Sequence, residues 1–101
     1  MKPKSYHIFF ETLANKLKMD IVLALLEKPM TVTEIHKALN VEQSKVSHAL
    51  GILLLCRIVE VKQEGKNRIY SLNKITIVPL LKLVEEHEKQ FCKYCQRVCE
   101  K

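Results

Sequence analysis

The sequence predicts a mainly α-helical fold with one small β-hairpin, as a single domain over residues 1–101. Apolar residues recur at helical spacing through most of the chain, and strict alternation occurs only near residues 58–72. The chain holds only 2 Gly and 3 Pro, too few for the closely spaced turns of an all-β fold. Hydrophobic residues make up 48% of the sequence and charged residues 28%, which is typical of a globular chain and argues against disorder.

The first segment, residues 5–26, predicts two short helices. Its apolar side chains follow one another every four residues: Phe9, Leu13, Leu17, Ile21 and Leu25. We expect a break near Asn15. Pro29 ends the second helix because proline cannot continue the hydrogen-bond ladder.

The next helix carries signals at both ends. Thr31 and Glu34 have the spacing of a capping box, in which each side chain bonds to the other residue's backbone amide. Met30 and Ile35 stand where a hydrophobic staple would lie. Asn40 suits the left-handed residue that follows a helix. We therefore expect a short helix that ends at about Leu39.

A further helix begins near Glu42 and has two distinct sides. Its predicted buried stripe is Val46, Ala49, Leu50, Leu53 and Leu54. Its polar side carries Gln43, Ser44, Lys45, Ser47 and His48. Apart from Glu42, this side holds no acidic residue, so its polar groups are suited to an anionic partner.

Residues 58–72 predict a hairpin, because apolar and polar residues alternate on either side of Glu64-Gly65-Lys66-Asn67. The segment from Arg57 to Lys74 contains five basic residues and only two acidic ones, and the whole chain carries a net charge of +6. The last helix is predicted over residues 76–99, with Pro79 in its first turn, where a missing amide does no harm.

This order of elements is typical of a winged helix-turn-helix, with the helix-turn-helix at residues 31–56 and the wing at residues 58–72. A helix fits the major groove of double-stranded DNA, where its exposed side chains reach the edges of the bases. A basic hairpin beside that helix can neutralise phosphates, and here it would contribute Lys62 among its basic residues. The sequence therefore predicts a DNA-binding domain.

Two segments also resemble a known family. They read TVTEIHKALNVEQSKVSHAL at residues 31–50 and QEGKNRIYSL at residues 63–72, and they are similar to the helix-turn-helix and wing of the ArsR (SmtB/ArsR) family of metal-responsive repressors. The resemblance implies a homodimer packed through its first and last helices that binds an inverted-repeat operator. Residue by residue, it places DNA contacts on Gln43, Ser44, Lys45, Ser47 and His48, and wing contacts on Lys66, Asn67 and Arg68.

The chain departs from the family pattern near the end of this DNA-reading helix. Gly51 lies inside the helix, and Arg57 replaces a usual helix-ending Gly. Leu54 and Leu55 replace typical charged positions, so we expect another element to cover that end. Cys56 stands where the family often has Ala, and we expect it to be a small buried residue.

Three cysteines, Cys92, Cys95 and Cys99, would share one face of the last helix. Thiolates on one face suit thiophilic ions such as Zn, Cd, Cu(I) or As(III). Cys92 and Cys99 are ~10 Å apart along a helix axis, whereas a metal–sulfur bond is only ~2.3 Å long. One ion would therefore need an unwound last turn or ligands from a partner subunit. Thiol–disulfide sensing and a purely structural role stay open.

Other function classes remain to be weighed. The alternatives are a winged-helix regulator without ligand sensing, a winged-helix protein-interaction module, and a metal-storage or redox protein. The sequence shows no phosphate-binding glycine loop, no nucleophile beside a base and no paired carboxylates, so we expect no enzyme. It shows no apolar stretch long enough for a signal peptide or a membrane span, so we expect a cytoplasmic protein with no membrane partner.

Overall fold

The computed structural model describes residues 2–91, which form five helices and a two-stranded antiparallel sheet. The elements are α1 (Pro3–Ala14), α2 (Lys16–Glu27), α3 (Val32–Leu39), α4 (Gln43–Leu55), β1 (Val59–Glu64), β2 (Asn67–Leu72) and α5 (Ile77–Gln90). This order confirms the predicted winged helix-turn-helix. None of the helices within residues 2–91 is both long enough and apolar enough to cross a membrane.

A single residue, Asn15, separates α1 from α2, as the sequence predicts. Its backbone leaves the helical conformation at ψ 129°. Its side-chain Oδ1 accepts a hydrogen bond of 3.0 Å from the backbone N–H of Lys18. Asparagine at this position satisfies one of the amides that the first turn of a helix leaves unpaired. The break therefore both ends α1 and starts α2.

Both ends of α3 are fixed by the predicted local bonds. The Glu34 N–H donates to Thr31 Oγ1 at 3.2 Å, and the Thr31 N–H donates to Glu34 Oε1 at 3.0 Å. The Thr31 backbone amide, with help from the Thr31 side chain, holds the pKa of Glu34 below its ordinary value. Asn40 takes the left-handed conformation at φ 55° and ψ 47°. Together these bonds set the angle at which the chain enters α4.

One side of α4 lies in the hydrophobic core. Val46, Ala49, Leu50 and Leu53 are buried there, in one cluster with Ile21, Val22 and Leu25 of α2. The predicted stripe is confirmed except at Leu54, which is only half-buried. Because these residues fix the rotation of α4 about its axis, they also decide which side chains face solvent.

The hairpin is fastened to the helices by its second strand. Glu64 pairs with Asn67 and Val59 with Leu72, and Gly65 in the turn takes φ +61°, which glycine adopts without steric cost. Tyr70 is buried. Its backbone N–H donates to the carbonyl oxygen of Met30 at 2.8 Å, and the Met30 N–H donates to the carbonyl oxygen of Tyr70 at 3.0 Å. The wing is therefore held at the residue just before the capped start of α3.

Asn73 joins the end of α4 to the start of α5. Its Nδ2 donates to the carbonyl oxygen of Arg57 at 2.9 Å, and its Oδ1 accepts from the amides of Ile75 and Thr76. Arg57 takes a left-handed backbone conformation at φ +59°, which costs a residue with a Cβ about 1 kcal/mol. The Asn73 bond therefore holds a strained turn in place.

The final helix is observed as α5, with Ile77 buried at its start and Pro79 in its first turn. At Phe91 the backbone leaves the helical conformation, at φ −127° and ψ −25°. The helix predicted over residues 76–99 is thus observed only as far as Gln90. Residues 92–101 lie outside the described part of the chain.

Two predictions at the end of α4 are wrong. Cys56 is exposed, whereas we expected a small buried residue. Leu55 is 85% exposed, so no element within residues 2–91 covers it. The physical reason is the same for both residues: the buried stripe of α4 ends at Leu53, and the chain turns at Cys56 to begin the wing.

Candidate nucleic-acid interface

The first turns of α4 present five polar side chains to solvent. These are Gln43, Ser44, Lys45, Ser47 and His48, and all five are exposed. A helix advances by ~100° per residue, so burial of Val46, Ala49 and Leu50 turns the residues between them outward. Amide, hydroxyl, ammonium and imidazole groups can donate or accept hydrogen bonds at the edges of DNA bases.

The start of α4 depends on the turn after α3 and not on a side-chain cap. Glu42 is the N-cap residue, and its side chain makes no capping bond. Its carbonyl oxygen accepts from the amides of Lys45 and Val46, at 3.1 and 3.2 Å. The Glu42 carboxylate is exposed beside the polar side chains of α4. Glu42 therefore places a negative charge at the N-terminal end of α4.

The wing places its candidate residues on both faces of the hairpin. Lys62, Lys66, Asn67 and Arg68 are all exposed. Lys62 is opposite Ile69 and Asn67 is opposite Glu64, so these residues share the outer face. Arg68 is opposite Gln63 on the other face, where its guanidinium lies 5.8 Å from the centre of the Tyr70 ring. The structure thus brings the basic side chains together at the tip but not on one face.

A cleft beside α4 brings in residues that the sequence reasoning missed. It has a volume of about 360 Å³ and is lined by Asn15 and Lys18 of the α2 start, and by Ser44, Lys45 and His48 of α4, among others. Lys18 is half-buried in its wall. The sequence could not indicate that Lys18 lies beside the polar side of α4, because only the packing of α2 on α4 brings it there.

A second exposed surface is apolar and lies on α1 and α5. Its large side chains include Tyr6 and Phe10 of α1, and Leu83 and Val84 of α5, which are 52%, 55%, 67% and 54% exposed. A groove of about 340 Å³ runs between these helices. Apolar patches that are exposed on one chain are typical of protein–protein interfaces. The first and last helices therefore provide a surface of the kind that the expected homodimer needs.

The predicted cysteine site, Cys92, Cys95 and Cys99, lies outside the described residues. Within residues 2–91, no group of three or more His, Cys, Asp or Glu side chains is arranged to hold a metal ion. Cys56 is a free thiol at the surface.

Comparison with known proteins begins with a family model. The model described as "Bacterial regulatory protein, arsR family" matches residues 15–61, which run from the Asn15 break into the wing. A transcriptional repressor SmtB homolog from Synechocystis sp. is 33% identical over 79 residues, which is 78% of this chain and 60% of that protein. The HTH-type transcriptional regulator NmtR from Mycobacterium tuberculosis is 32% identical over 71 residues, or 70% of this chain and 59% of NmtR.

This chain therefore spans about 60% of the length of these two relatives. Solved structures give the same fold over most of the chain. Rv0081 from M. tuberculosis has a TM-score of 0.81 at 28% identity, covering 97% of this chain and 99% of that chain. The transcriptional repressor BigR from Xylella fastidiosa has a TM-score of 0.69 at 25% identity, covering 88% of this chain and 85% of that chain. The relatives are regulators by name, and none of these names describes an enzyme.

Proposed function

This chain belongs to the ArsR family of bacterial regulatory proteins, and on that basis we propose that it is a transcriptional regulator that binds double-stranded DNA. The exposed polar side of α4 carries the proposal, because its core contacts turn five polar side chains outward. α4 is ~10–12 Å wide with its side chains, which matches the ~12 Å width of the DNA major groove.

The proposed contacts divide into two kinds. Gln43, Ser44, Lys45, Ser47 and His48 of α4 face the edges of the bases, where sequence is read. Lys62, Lys66, Asn67 and Arg68 of the wing face the flanking phosphates, where the contacts add affinity without reading sequence. The same hairpin also carries two negatively charged residues, Glu60 and Glu64. Their repulsion from the phosphates limits how closely the hairpin can approach DNA.

The proposed active form is a homodimer joined through α1 and α5. A dimer would bury apolar side chains such as Phe10 and Leu83, and it would add stability to a domain that can bury only a small core by itself. Two copies of α4 related by a two-fold axis would read the two halves of an inverted-repeat operator, about one helical turn apart. Sedimentation equilibrium of the full chain tests the dimer, and Leu83→Glu should shift it towards the monomer.

Selection from a random duplex library tests the DNA-binding proposal. The expected result is an inverted-repeat sequence bound in preference to bulk DNA. Lys45→Ala and Arg68→Ala should weaken binding, whereas Lys28→Ala should not, since Lys28 is at the C-terminal end of α2 and the cleft beside α4 is lined by residues of its N-terminal end. Affinity should also fall steeply as salt rises. Binding that is indifferent to salt, or no enrichment of any duplex, would favour the protein-interaction module instead.

We also propose that the thiols of Cys92, Cys95 and Cys99 make DNA affinity responsive to a thiophilic ion or to oxidation. Three observations support this step. The cysteines have i, i+3, i+7 spacing in the sequence, and the first of them comes two residues after the last residue of α5. α5 itself belongs to the proposed dimer surface. A change there could alter the spacing of the two α4 helices.

The test compares operator affinity with and without Zn, Cd, Cu(I), As(III) or an oxidant. Wild type should lose affinity under at least one of these conditions, as expected for a repressor that releases DNA. The triple Cys→Ser variant at residues 92, 95 and 99 should not respond. Cys56→Ser is the matched control, because it removes an exposed thiol outside the cluster. A response that survives the triple substitution would exclude the cluster as the sensor.

A further inference from the structure

The cleft between the start of α2 and the first turns of α4 carries basic side chains, on the side of the molecule that is proposed to face DNA. Lys18 comes from α2, and Lys45 and His48 come from α4. Ser44 and Asn15 add a hydroxyl and an amide to the same wall. Among residues 2–91, no acidic side chain lines it, although Glu42 and Asp20 are nearby in the sequence. The cleft is therefore suited to an anion.

The two lysines of the cleft make no ion pair within the described part of the chain. Within residues 2–91, neither Lys18 nor Lys45 has a carboxylate at ion-pair distance, whereas the neighbouring Lys16 is paired with Asp20 at 2.9 Å. Lys18 is also half-buried, as is common for lysines whose aliphatic stem packs on the protein while the ammonium group stays in water. The first turn of α2 contributes little by itself, because Asn15 already accepts from the Lys18 amide.

The position of the cleft points to a DNA strand as its ligand. A helix that fills the major groove has a sugar–phosphate backbone on each side of it, because the groove is only ~12 Å wide. Ser44, Lys45 and His48 belong both to the polar side of α4 and to the cleft. A strand alongside α4 would therefore pass over the start of α2.

We infer that Lys18, on the α2 wall of this cleft, binds one phosphate of the DNA backbone, while Lys45 and His48 on the α4 wall stay directed at the base edges. Lys18 would then be a DNA-contacting residue of α2. This inference rests on the proposed DNA binding. It adds a second phosphate-binding element beside α4, separate from the wing. In a homodimer the contact occurs twice. Each phosphate contact contributes about 0.9 to the slope of log affinity against log salt concentration. Loss of both copies should therefore lower the slope by about 1.8.

Fluorescence anisotropy with a labelled 30-base-pair duplex of random sequence tests this step. Phosphate contacts do not depend on sequence, so the experiment needs no known operator. Lys18→Gln should reduce the slope by about 1.8 per dimer and weaken binding on the order of 50-fold at 0.1 M salt. Lys18→Arg, which keeps the charge, should stay close to wild type. Lys28→Gln is the matched control, an exposed lysine about 15 Å away along α2.

The outcomes separate this inference from the proposal beneath it. A lower slope for Lys18→Gln, with wild-type slopes for Lys18→Arg and Lys28→Gln, supports the cleft. A wild-type slope for Lys18→Gln, while Arg68→Gln lowers it, overturns the cleft and leaves DNA binding by α4 and the wing intact. No binding of wild type to the duplex at low salt overturns both. Far-ultraviolet circular dichroism of each variant confirms that its helices remain folded.

Discussion

The rotation of α4 about its axis can be tested by two leucines that lie two residues apart. Leu53 is completely buried and Leu55 is 85% exposed. Truncation of Leu53 to Ala removes three carbon groups, which are worth ~0.8 kcal/mol each when buried, and the cavity left behind adds up to ~2 kcal/mol. Leu53→Ala should therefore lower the free energy of unfolding by about 3–4 kcal/mol. Leu55→Ala should lower it by less than about 0.5 kcal/mol, because little of that side chain is removed from water.

Urea unfolding followed by circular dichroism at 222 nm, at one fixed protein concentration, measures both changes. A domain of this length has a stability of about 5–15 kcal/mol. If Leu53→Ala leaves too little folded protein to analyse, Leu53→Met replaces it, with an expected cost below about 1.5 kcal/mol. Equal losses at the two positions, or a larger loss at Leu55, would refute the rotation of α4 and with it the outward direction of Ser44, Ser47 and His48.

Three further predictions concern Gly51 inside α4, the Asn73 link between α4 and α5, and the Glu34 capping bond of α3. Gly51→Ala should raise the free energy of unfolding by about 1 kcal/mol. Gly51 is on the exposed side of α4, and an added Cβ would meet nothing within 4 Å. A lower melting temperature for the variant would contradict this. Asn73→Ala should cost about 1–3 kcal/mol, and Asn73→Asp should cost less because it keeps the acceptor for the α5 amides; an Ala variant as stable as wild type would show that the link to Arg57 is dispensable. Glu34 has a lowered pKa because it accepts from Thr31, so its contribution is present above the unfolded-state pKa and is lost as pH falls through the folded-state pKa. Urea titrations should therefore show a difference in the free energy of unfolding between wild type and Glu34→Gln at neutral pH. That difference should shrink as the pH is lowered through the lowered pKa of Glu34, and a difference that grows on acidification would be the wrong sign.

Local signals in the sequence were sufficient for the break between α1 and α2 and for both ends of α3. The Asn15 break, the Thr31–Glu34 capping box and the left-handed Asn40 are each decided by hydrogen bonds within four residues. The buried stripe of α4 follows from helical periodicity, and so does the exposed side that carries the candidate base contacts. This is why the first half of the candidate interface could be predicted before the structure.

Features that depend on packing between distant elements could not be predicted in this way. The backbone bridge between Met30 and Tyr70 joins residues 40 positions apart, and Lys18 reaches α4 only because α2 packs on it. Periodicity tells which side of a helix is buried but not which element covers it. The exposed Cys56 shows the same limit, since its apolar character favoured burial but the core ended one turn earlier.

The central claim is that α4 lies in the major groove of DNA and that a dimer presents two copies of it. Dimethyl sulfate probing of the selected operator tests this most directly, because the reagent methylates guanine N7 in the major groove and adenine N3 in the minor groove. The account predicts protection of guanine N7 in two patches about 10 base pairs apart. Protection confined to adenine N3, or a single patch on DNA bound by a dimer, would contradict it.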